Sequence, residues 1–230
     1  TIRRTVAAVA ELAPDRISLF GYAHVPWMKT HQRLLEPAGL PGAAERLALC
    51  DEATAALREA GYETIGMDHF ARSDDALAIA ARTGTLRRNF QGYTTDAAAC
   101  LIGLGASAIG HFADGFVQNA TRTDEWADAI DAGRLATQRG VRIDATDRVR
   151  GRIIERLMCD FEIDLDAYIR AEPAVLDVLD GIGDLEEMGL VRRHATRLGI
   201  PADARPFARI VAARFDRHLA PAATRHSAAV

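Results

Sequence analysis

The sequence has little cysteine, almost no lysine and few aromatic residues. It contains 3 cysteines in 230 residues, and aromatic side chains make up 6% of the chain. Cys50, Cys100 and Cys159 lie too far apart for any two of them to have the short spacing of a metal-binding pair. Sparse cysteines in odd number are typical of free, mostly buried thiols in a reducing compartment. The sequence therefore gives no sign of a disulfide framework or of a metal site built from cysteines.

Neither a long apolar run nor a strong charge of one sign is present. No stretch of about 18 apolar residues suits a membrane-spanning helix, and no basic-then-apolar leader indicates secretion. The net charge of −4 is too small to indicate a nucleic-acid partner. Hydrophobic residues make up 49% of the chain, which suffices for a buried core. We therefore expect a cytoplasmic globular protein with neither a nucleic-acid nor a membrane partner.

The first half of the chain predicts alternating helices and strands. The predicted elements, in order, are a helix at 3–13, a strand at 16–22, a helix at 41–60, a strand at 63–68, a helix at 73–84 and a strand at 101–109. Ser73 is the predicted N-cap of the third helix, and Gly61 and Gly84 suit helix ends. Such alternation predicts parallel strands with right-handed crossovers, as in part of an α/β barrel or a doubly wound sheet.

The second half of the chain is mainly helical in pattern from about residue 123. Thr146 is the predicted N-cap of a helix with apolar residues at every fourth position. Pro206 suits the start of a last helix, whose predicted apolar face is made of Phe207, Ile210, Val211, Phe215 and Leu219. Residues 184–193 predict a helix followed by a short strand. Helices with a short two-stranded wing resemble a winged-helix arrangement. The arginines after Leu190 are scattered and not interleaved with aromatic residues, which favours a solvated surface over DNA binding.

These patterns divide the chain into three parts. We expect an α/β domain at 1–112, a helical domain at 113–219 and a frayed tail at 220–230.

Three clusters of polar and aromatic residues are candidates for a functional site. They are GYAHVPW at 21–27, GMDHFA at 66–71 and RNFQGYTT at 88–95. The first two follow predicted strands, where α/β folds bind their ligands. Any one of these clusters alone would more often be structural, because proteins contain many satisfied polar side chains. Three together favour a functional interpretation.

A metal site is one interpretation of these clusters. His24, Asp68, His69 and His111 have side chains that bind metal ions on the rim of a barrel. However, the neighbours Asp68 and His69 would point to opposite faces of a strand, so both could turn inward only where the strand has ended. The glycines within 103–110 resemble a dinucleotide-binding turn only weakly, because their spacing is wrong.

The three clusters, together with GLGASAI at 103–109, are similar in order and spacing to the motifs of the oxygen-independent coproporphyrinogen III oxidase family. The resemblance runs from about Thr1 to about Asp216 and includes RLMCDF at 156–161 and the pair Gln118-Asn119. It covers almost the whole chain but only the C-terminal half of the family's length. It implies the later part of a partial TIM-type barrel, followed by a helical domain that covers the mouth of the barrel.

The resemblance implies a radical S-adenosylmethionine enzyme with a [4Fe–4S] cluster held by the cysteines of a C-x3-C-x2-C motif. In the complete enzyme, a 5′-deoxyadenosyl radical takes hydrogen from two propionate side chains of coproporphyrinogen III. Each propionate then loses carbon dioxide and becomes a vinyl group, which gives protoporphyrinogen IX. The present sequence has no C-x3-C-x2-C motif. We therefore expect the cluster ligands on a missing N-terminal half, and this chain alone to be incomplete and inactive.

Site residues follow from the same resemblance. Ala23 and Ile109 match positions that line the S-adenosylmethionine sites of the family. A small side chain lets the backbone approach a cofactor, and an apolar wall shields a radical from quenching. Six further residues lie in family motifs and are candidates for lining the cavity: Tyr22, His24, Asp68, His69, Gln91 and Tyr93. No metal ligand is expected on this chain.

Two other functions remain open from the sequence. The first is a porphyrin- or haem-binding module without catalysis, derived from the same enzyme. The second is a metal-dependent hydrolase with its site on a barrel rim. A haem titration tests the first, and metal analysis of the purified protein tests the second.

Anaerobic reconstitution with iron and sulfide is expected to leave the purified chain without an iron–sulfur cluster. The three cysteines are not at ligand spacing, and thiolates are the usual ligands of such clusters. Visible absorbance and iron analysis provide the measurement, with a full-length relative treated in parallel as the positive control. A stoichiometric [4Fe–4S] cluster on this chain would contradict the expectation.

Overall fold

The computed structural model describes residues 2–219, so the predicted tail at 220–230 lies outside the described residues. Helices and strands alternate in the first part of the chain, as predicted. The elements are α1 (Ile2–Glu11), β1 (Arg16–Ser18), a 3-10 helix (Thr30–Ala38), α2 (Ala43–Glu59), β2 (Tyr62–Ile65), β3 (His69–Arg72) and α3 (Ala76–Thr83).

These strands do not form the predicted parallel sheet. β3 lies in the centre and pairs antiparallel with both β1 and β2. β1 and β2 therefore run in the same direction, but β3 separates them. The prediction failed because the segment after β2 turns back at once: Gly66 has a φ of +60°, a left-handed conformation that suits a tight turn.

Two further antiparallel sheets follow. β4 (Arg87–Asn89) and β5 (Gly92–Thr94) form a hairpin. β6 (Ile109–Phe112), β7 (Gly115–Asn119) and β8 (Thr137–Arg142) form a three-stranded sheet, and α4 (Thr123–Asp131) connects β7 to β8. The predicted strand at 101–109 is wrong. Within it, Leu101 makes one isolated bridge to His111, and β6 begins only at Ile109.

The last part of the chain is mainly helical. Its elements are α5 (Ala145–Cys159), β9 (Glu162–Asp164), α6 (Asp166–Ala171), α7 (Val175–Asp180), α8 (Gly183–Glu187), β10 (Arg192–His194), β11 (Arg197–Gly199), a 3-10 helix (Arg205–Phe207) and α9 (Ala208–Ala213). The predicted helix and short strand at 184–193 correspond to α8 and β10. β11 pairs antiparallel with both β10 and β9, so these strands form a three-stranded sheet where two strands were predicted.

The predicted helix caps at Ser73 and Thr146 are wrong by two residues in each case. Asp75 caps α3, because its side chain accepts a hydrogen bond from the backbone N–H of Leu77. Asp144 caps α5 in a reciprocal arrangement with Asp147. Aspartate is as good a cap as serine or threonine, and its charge also suits a helix N-terminus.

The largest hydrophobic core lies in the C-terminal part of the chain, where α5 and α9 pack together with β9 and β11. Val211 and Phe215 are fully buried there, as the predicted apolar face requires. Ile210 and Leu219 were predicted on the same face but are exposed. Leu219 lies beyond the end of α9 at Ala213, so the helical periodicity does not reach it, whereas Ile210 lies within α9 on its exposed side.

Gly66→Ala is expected to destabilise the chain by about 3 kcal/mol or more. The new Cβ would overlap the ring of Tyr93, and the left-handed backbone adds its own cost. Gly84→Ala is the matched control, because Gly84 has a similar φ of +68° but open space around its Cβ position. We expect that variant to cost only about 1 kcal/mol. Urea unfolding followed by circular dichroism measures both, and equal losses would contradict the expectation.

Candidate functional site

The side chains of Asp68 and His69 can contact each other because strand β2 has ended before them. β2 ends at Ile65, and Asp68 belongs to the turn that leads into β3. Its carboxylate Oδ1 is 2.7 Å from Nδ1 of His69. A carboxylate at Nδ1 fixes the orientation of the imidazole and makes Nδ1 the donor, so Nε2 is the acceptor in the neutral ring. The pair thus has the form of an oriented acid–base group.

Tyr93 connects this pair to the rest of the site. Its hydroxyl accepts a hydrogen bond from the backbone N–H of Met67 at 3.2 Å and donates to the carbonyl oxygen of Met158 at 3.0 Å. The ring centroids of Tyr93 and His69 are 5.1 Å apart, in an edge-to-face arrangement. Burial raises the pKa of Tyr93 to about 12, so the hydroxyl stays protonated. Tyr93 therefore acts as a structural support, and its location under the turn at Gly66 explains why that position needs glycine.

The loop with Tyr22, Ala23 and His24 starts next to the same pair. Phe20 packs edge-to-face on His69, with 5.8 Å between ring centroids. The backbone N–H of Leu19 donates to the carbonyl oxygen of Asp68 at 2.8 Å. Tyr22 and His24 contact each other, with 6.2 Å between their rings. The residue that directly precedes the first sequence cluster therefore packs on His69 of the second.

Gln32 holds the backbone around Ala23. Its side-chain oxygen accepts a hydrogen bond from the N–H of Val25 at 2.5 Å, and its Nε2 donates to the carbonyl oxygen of Ala23 at 3.1 Å. The side chain of Gln32 is buried, whereas Ala23 is exposed. Sequence reasoning missed Gln32, since a glutamine within a polar segment gives no signal of its own.

Gln91 lies at the tip of the β4–β5 hairpin and is exposed. Its backbone N–H donates to the side-chain oxygen of Asn89 at 2.8 Å, which stabilises the turn. The neighbouring Phe90 packs edge-to-face on Phe116 of β7, and Phe116 stacks on His111 of β6. The hairpin tip is thereby joined to the sheet that carries Ile109.

Ile109 follows a loop held by the pair Gln118-Asn119. The side-chain amide of Asn119 donates to the carbonyl oxygens of Gly103 and Gly105, at 3.1 and 3.0 Å. Gln118 donates similarly to Ser107. A Cβ on Gly103 would lie 2.9 Å from the carbonyl carbon of Ile109, so the loop packs closely on the start of β6. Ile109 itself is partly buried.

The cysteines of the chain do not fit an iron–sulfur cluster. Cys159 is buried, Cys50 is half-buried and Cys100 is exposed. Burial raises the pKa of Cys159 to about 12, which suits an inert thiol. Among the described side chains of residues 2–35 and 39–219, no group of three or more histidine, cysteine, aspartate or glutamate residues could hold a metal ion. Across the same residues, no helix is both long and apolar enough to cross a membrane.

Tyr93→Phe is expected to lower the free energy of unfolding by about 1–2 kcal/mol near neutral pH, because it leaves the carbonyl of Met158 without its donor. Since the fold raises the pKa of Tyr93 from 10.0 to about 12, its stabilising contribution is present below pH 10 and is lost as the pH rises toward 12. The difference between wild type and variant should therefore narrow by about 1 kcal/mol between about pH 9 and about pH 11.

Urea unfolding at several pH values measures this difference. Tyr22→Phe is the control, because Tyr22 is 49% exposed and should change stability by less than about 0.5 kcal/mol throughout. A Tyr93→Phe variant as stable as wild type at neutral pH would show that the buried hydroxyl contributes nothing.

Comparison with known proteins gives a consistent result, although no protein-family model matches the chain. The chain is 49% identical to an oxygen-independent coproporphyrinogen III oxidase of Bradyrhizobium diazoefficiens, over 100% of this chain and 51% of that protein. It is 42% identical to the protein of that name from Cereibacter sphaeroides, over 97% and 50% of the two chains. The chain thus spans about half the length of the curated relatives it matches.

A solved structure shows the same similarity. Coproporphyrinogen III oxidase from Escherichia coli, described as a radical SAM enzyme, superposes with a TM-score of 0.86 at 36% identity, over 94% of this chain and 51% of that one. The similarity in sequence and structure covers the motifs on which the resemblance was based. The chain is therefore homologous to the C-terminal half of oxygen-independent coproporphyrinogen III oxidase.

Proposed function

We propose that this chain is part of a radical S-adenosylmethionine oxidoreductase that oxidatively decarboxylates coproporphyrinogen III to protoporphyrinogen IX. The observation that carries the proposal is that two of the motifs, and the residue leading into the third, meet at one point. His69 of GMDHFA contacts Phe20, which leads into YAHVPW, and Tyr93 of RNFQGYTT. Segments more than 20 residues apart in sequence thus share one cluster around an oriented histidine, as expected of a site that holds one ligand.

Ala23 and Ile109 are the proposed contacts to S-adenosylmethionine, which supplies the radical chemistry when bound. Both positions suit a cofactor that the backbone approaches closely. Gln32 fixes the exposed backbone at Ala23, and Asn119 fixes the loop that packs on Ile109. Backbone geometry that is set in advance lowers the entropy cost of binding. The proposed role of this chain is to bind and orient, and to exclude water with its aromatic side chains.

The [4Fe–4S] cluster is proposed to reside on the remaining half of the protein, because the cysteines here do not fit it. That half is the proposed partner, with coproporphyrinogen III as the small-molecule substrate and the cytoplasm as the location. We further propose that residues 1–112 complete a partial barrel and that 113–219 form the covering, winged-helix-like domain. The β6–β7 hairpin crosses this boundary, so the two parts are closely joined.

A second candidate function is a porphyrin- or haem-binding module without catalysis. The observation that favours it is the lack of a cluster site within residues 2–219. Binding of S-adenosylmethionine distinguishes the two candidates, because a module that only binds porphyrin does not need that cofactor.

Ala23→Trp is expected to weaken S-adenosylmethionine binding by about 10-fold or more, because an indole would fill the space the cofactor needs next to the backbone. The measurement is calorimetric titration of the chain co-expressed with the N-terminal half of a relative. Ala132→Trp is the matched control, since Ala132 is also exposed but follows α4.

Both variants should keep the melting temperature of the wild type, because neither position is buried. Unchanged affinity in a folded Ala23→Trp variant would remove Ala23 from the site. Absence of any S-adenosylmethionine binding by the wild-type complex would overturn the proposed function and leave the porphyrin-binding candidate.

A further inference from the structure

Arg88 lies on the side of the β4–β5 hairpin that faces the site. It is paired directly with Tyr93 across the two strands, so both side chains project from the same face. The guanidinium carbon of Arg88 lies over the ring of Tyr93, 5.5 Å from its centroid. His69 contacts the same ring. Arg88 and His69 are therefore neighbours of one aromatic side chain at the point where the motifs converge.

The charge of Arg88 has no anionic partner among the described side chains, those of residues 2–35 and 39–219. Its Nε is buried and makes no hydrogen bond, and no carboxylate there forms an ion pair with its guanidinium. The nearby Glu155 accepts a hydrogen bond from the backbone N–H of Arg88, but its ion pairs are with Arg87 and Arg156. A partly buried guanidinium without a counter-ion is costly, so such a group normally has a partner.

Arg46 and Arg150 also have a buried Nε without a hydrogen bond, so this feature alone does not mark a site. They lie on α2 and α5, and Arg150 donates through its other nitrogens to the carbonyl oxygen of Ala174. Arg88 differs because its guanidinium lies over the ring of Tyr93, the same ring that the oriented His69 contacts. The two observations together point to a ligand anion.

We propose that Arg88 binds a carboxylate of the tetrapyrrole substrate. This inference rests on the proposed function, whose substrate carries propionate side chains. The planar guanidinium pairs with a carboxylate through two parallel hydrogen bonds, and stacking on Tyr93 fixes its orientation in advance. Arg88 is thus a substrate-positioning residue, and the ring of Tyr93 has a second role as its platform.

The test is a fluorescence titration of the full 230-residue chain with coproporphyrin III, a stable oxidised tetrapyrrole with the same carboxylates. We expect Arg88→Gln to raise the Kd by about 10- to 100-fold, which corresponds to the loss of a charge-assisted hydrogen bond. Arg88→Lys should give an intermediate loss, because it keeps the charge but not the bidentate geometry.

Arg87→Gln is the matched control. Arg87 is the adjacent residue, projects from the opposite face of the hairpin, and is about half exposed and paired with Glu155. Removing it should change the Kd by less than about 3-fold. The tetramethyl ester of coproporphyrin III lacks the negative charges, so it should bind wild type and Arg88→Gln equally. If circular dichroism shows that Arg88→Gln does not fold, the Kd values of Arg88→Lys and wild type for coproporphyrin III and its ester are compared instead.

An equal Kd for coproporphyrin III in wild type and the folded Arg88 variants would overturn this inference. The proposed function would then still stand on the binding of S-adenosylmethionine and its dependence on Ala23. A wild-type chain that binds neither coproporphyrin III nor its ester would overturn the inference as well, because the carboxylate would then have no site on this chain.

Discussion

The hydroxyl of Tyr93 is the contact on which the geometry of the site depends. It joins the turn after β2, through the N–H of Met67, to the end of α5, through the carbonyl of Met158. Each hydrogen bond contributes only about 1 kcal/mol net, but both backbone groups would be costly to leave unpaired in a buried place. The turn must pass directly beside the ring, and this requires glycine at position 66. One side chain thus fixes the turn that positions Asp68 and His69.

The two loops outside this contact are stabilised in another way. Neither the segment around Ala23 nor the one before Ile109 belongs to a regular sheet. Their backbone polar groups therefore need side-chain partners. Gln32 supplies one acceptor and one donor to its loop, and Asn119 supplies two donors to its own. Amide side chains suit this task because they carry both kinds of group, so irregular backbone can be held rigid next to a ligand.

How far the sequence predicts this structure depends on which physical signal sets each element. Apolar periodicity and glycine at helix ends predict α1, α2 and the start of α5 to within a few residues, because both signals are local. The strand β3 was missed, since His69–Arg72 is too short to show a period and its pairing is set by the turn at Gly66. Because β3 was missed, the sheet was predicted to be parallel, whereas β3 pairs antiparallel with both of its neighbours. The caps at Asp75 and Asp144 were predicted two residues away, because several polar residues near each helix start are equally suitable as caps.

For the candidate site, the motifs identified Asp68, His69 and Tyr93, and the structure brings these three together. Arg88 stood in one of those motifs without being singled out. The reason is compositional: all 28 basic residues except Lys29 are arginine, so a further arginine carries little information. Two features together distinguish Arg88: its Nε is buried without a hydrogen bond, and its guanidinium lies over the ring of Tyr93, whereas Arg82 and Arg87 form ion pairs with Glu63 and Glu155. The missing hydrogen bond at Nε and the position of the guanidinium over the Tyr93 ring become visible only in the fold, and that ring organises the site.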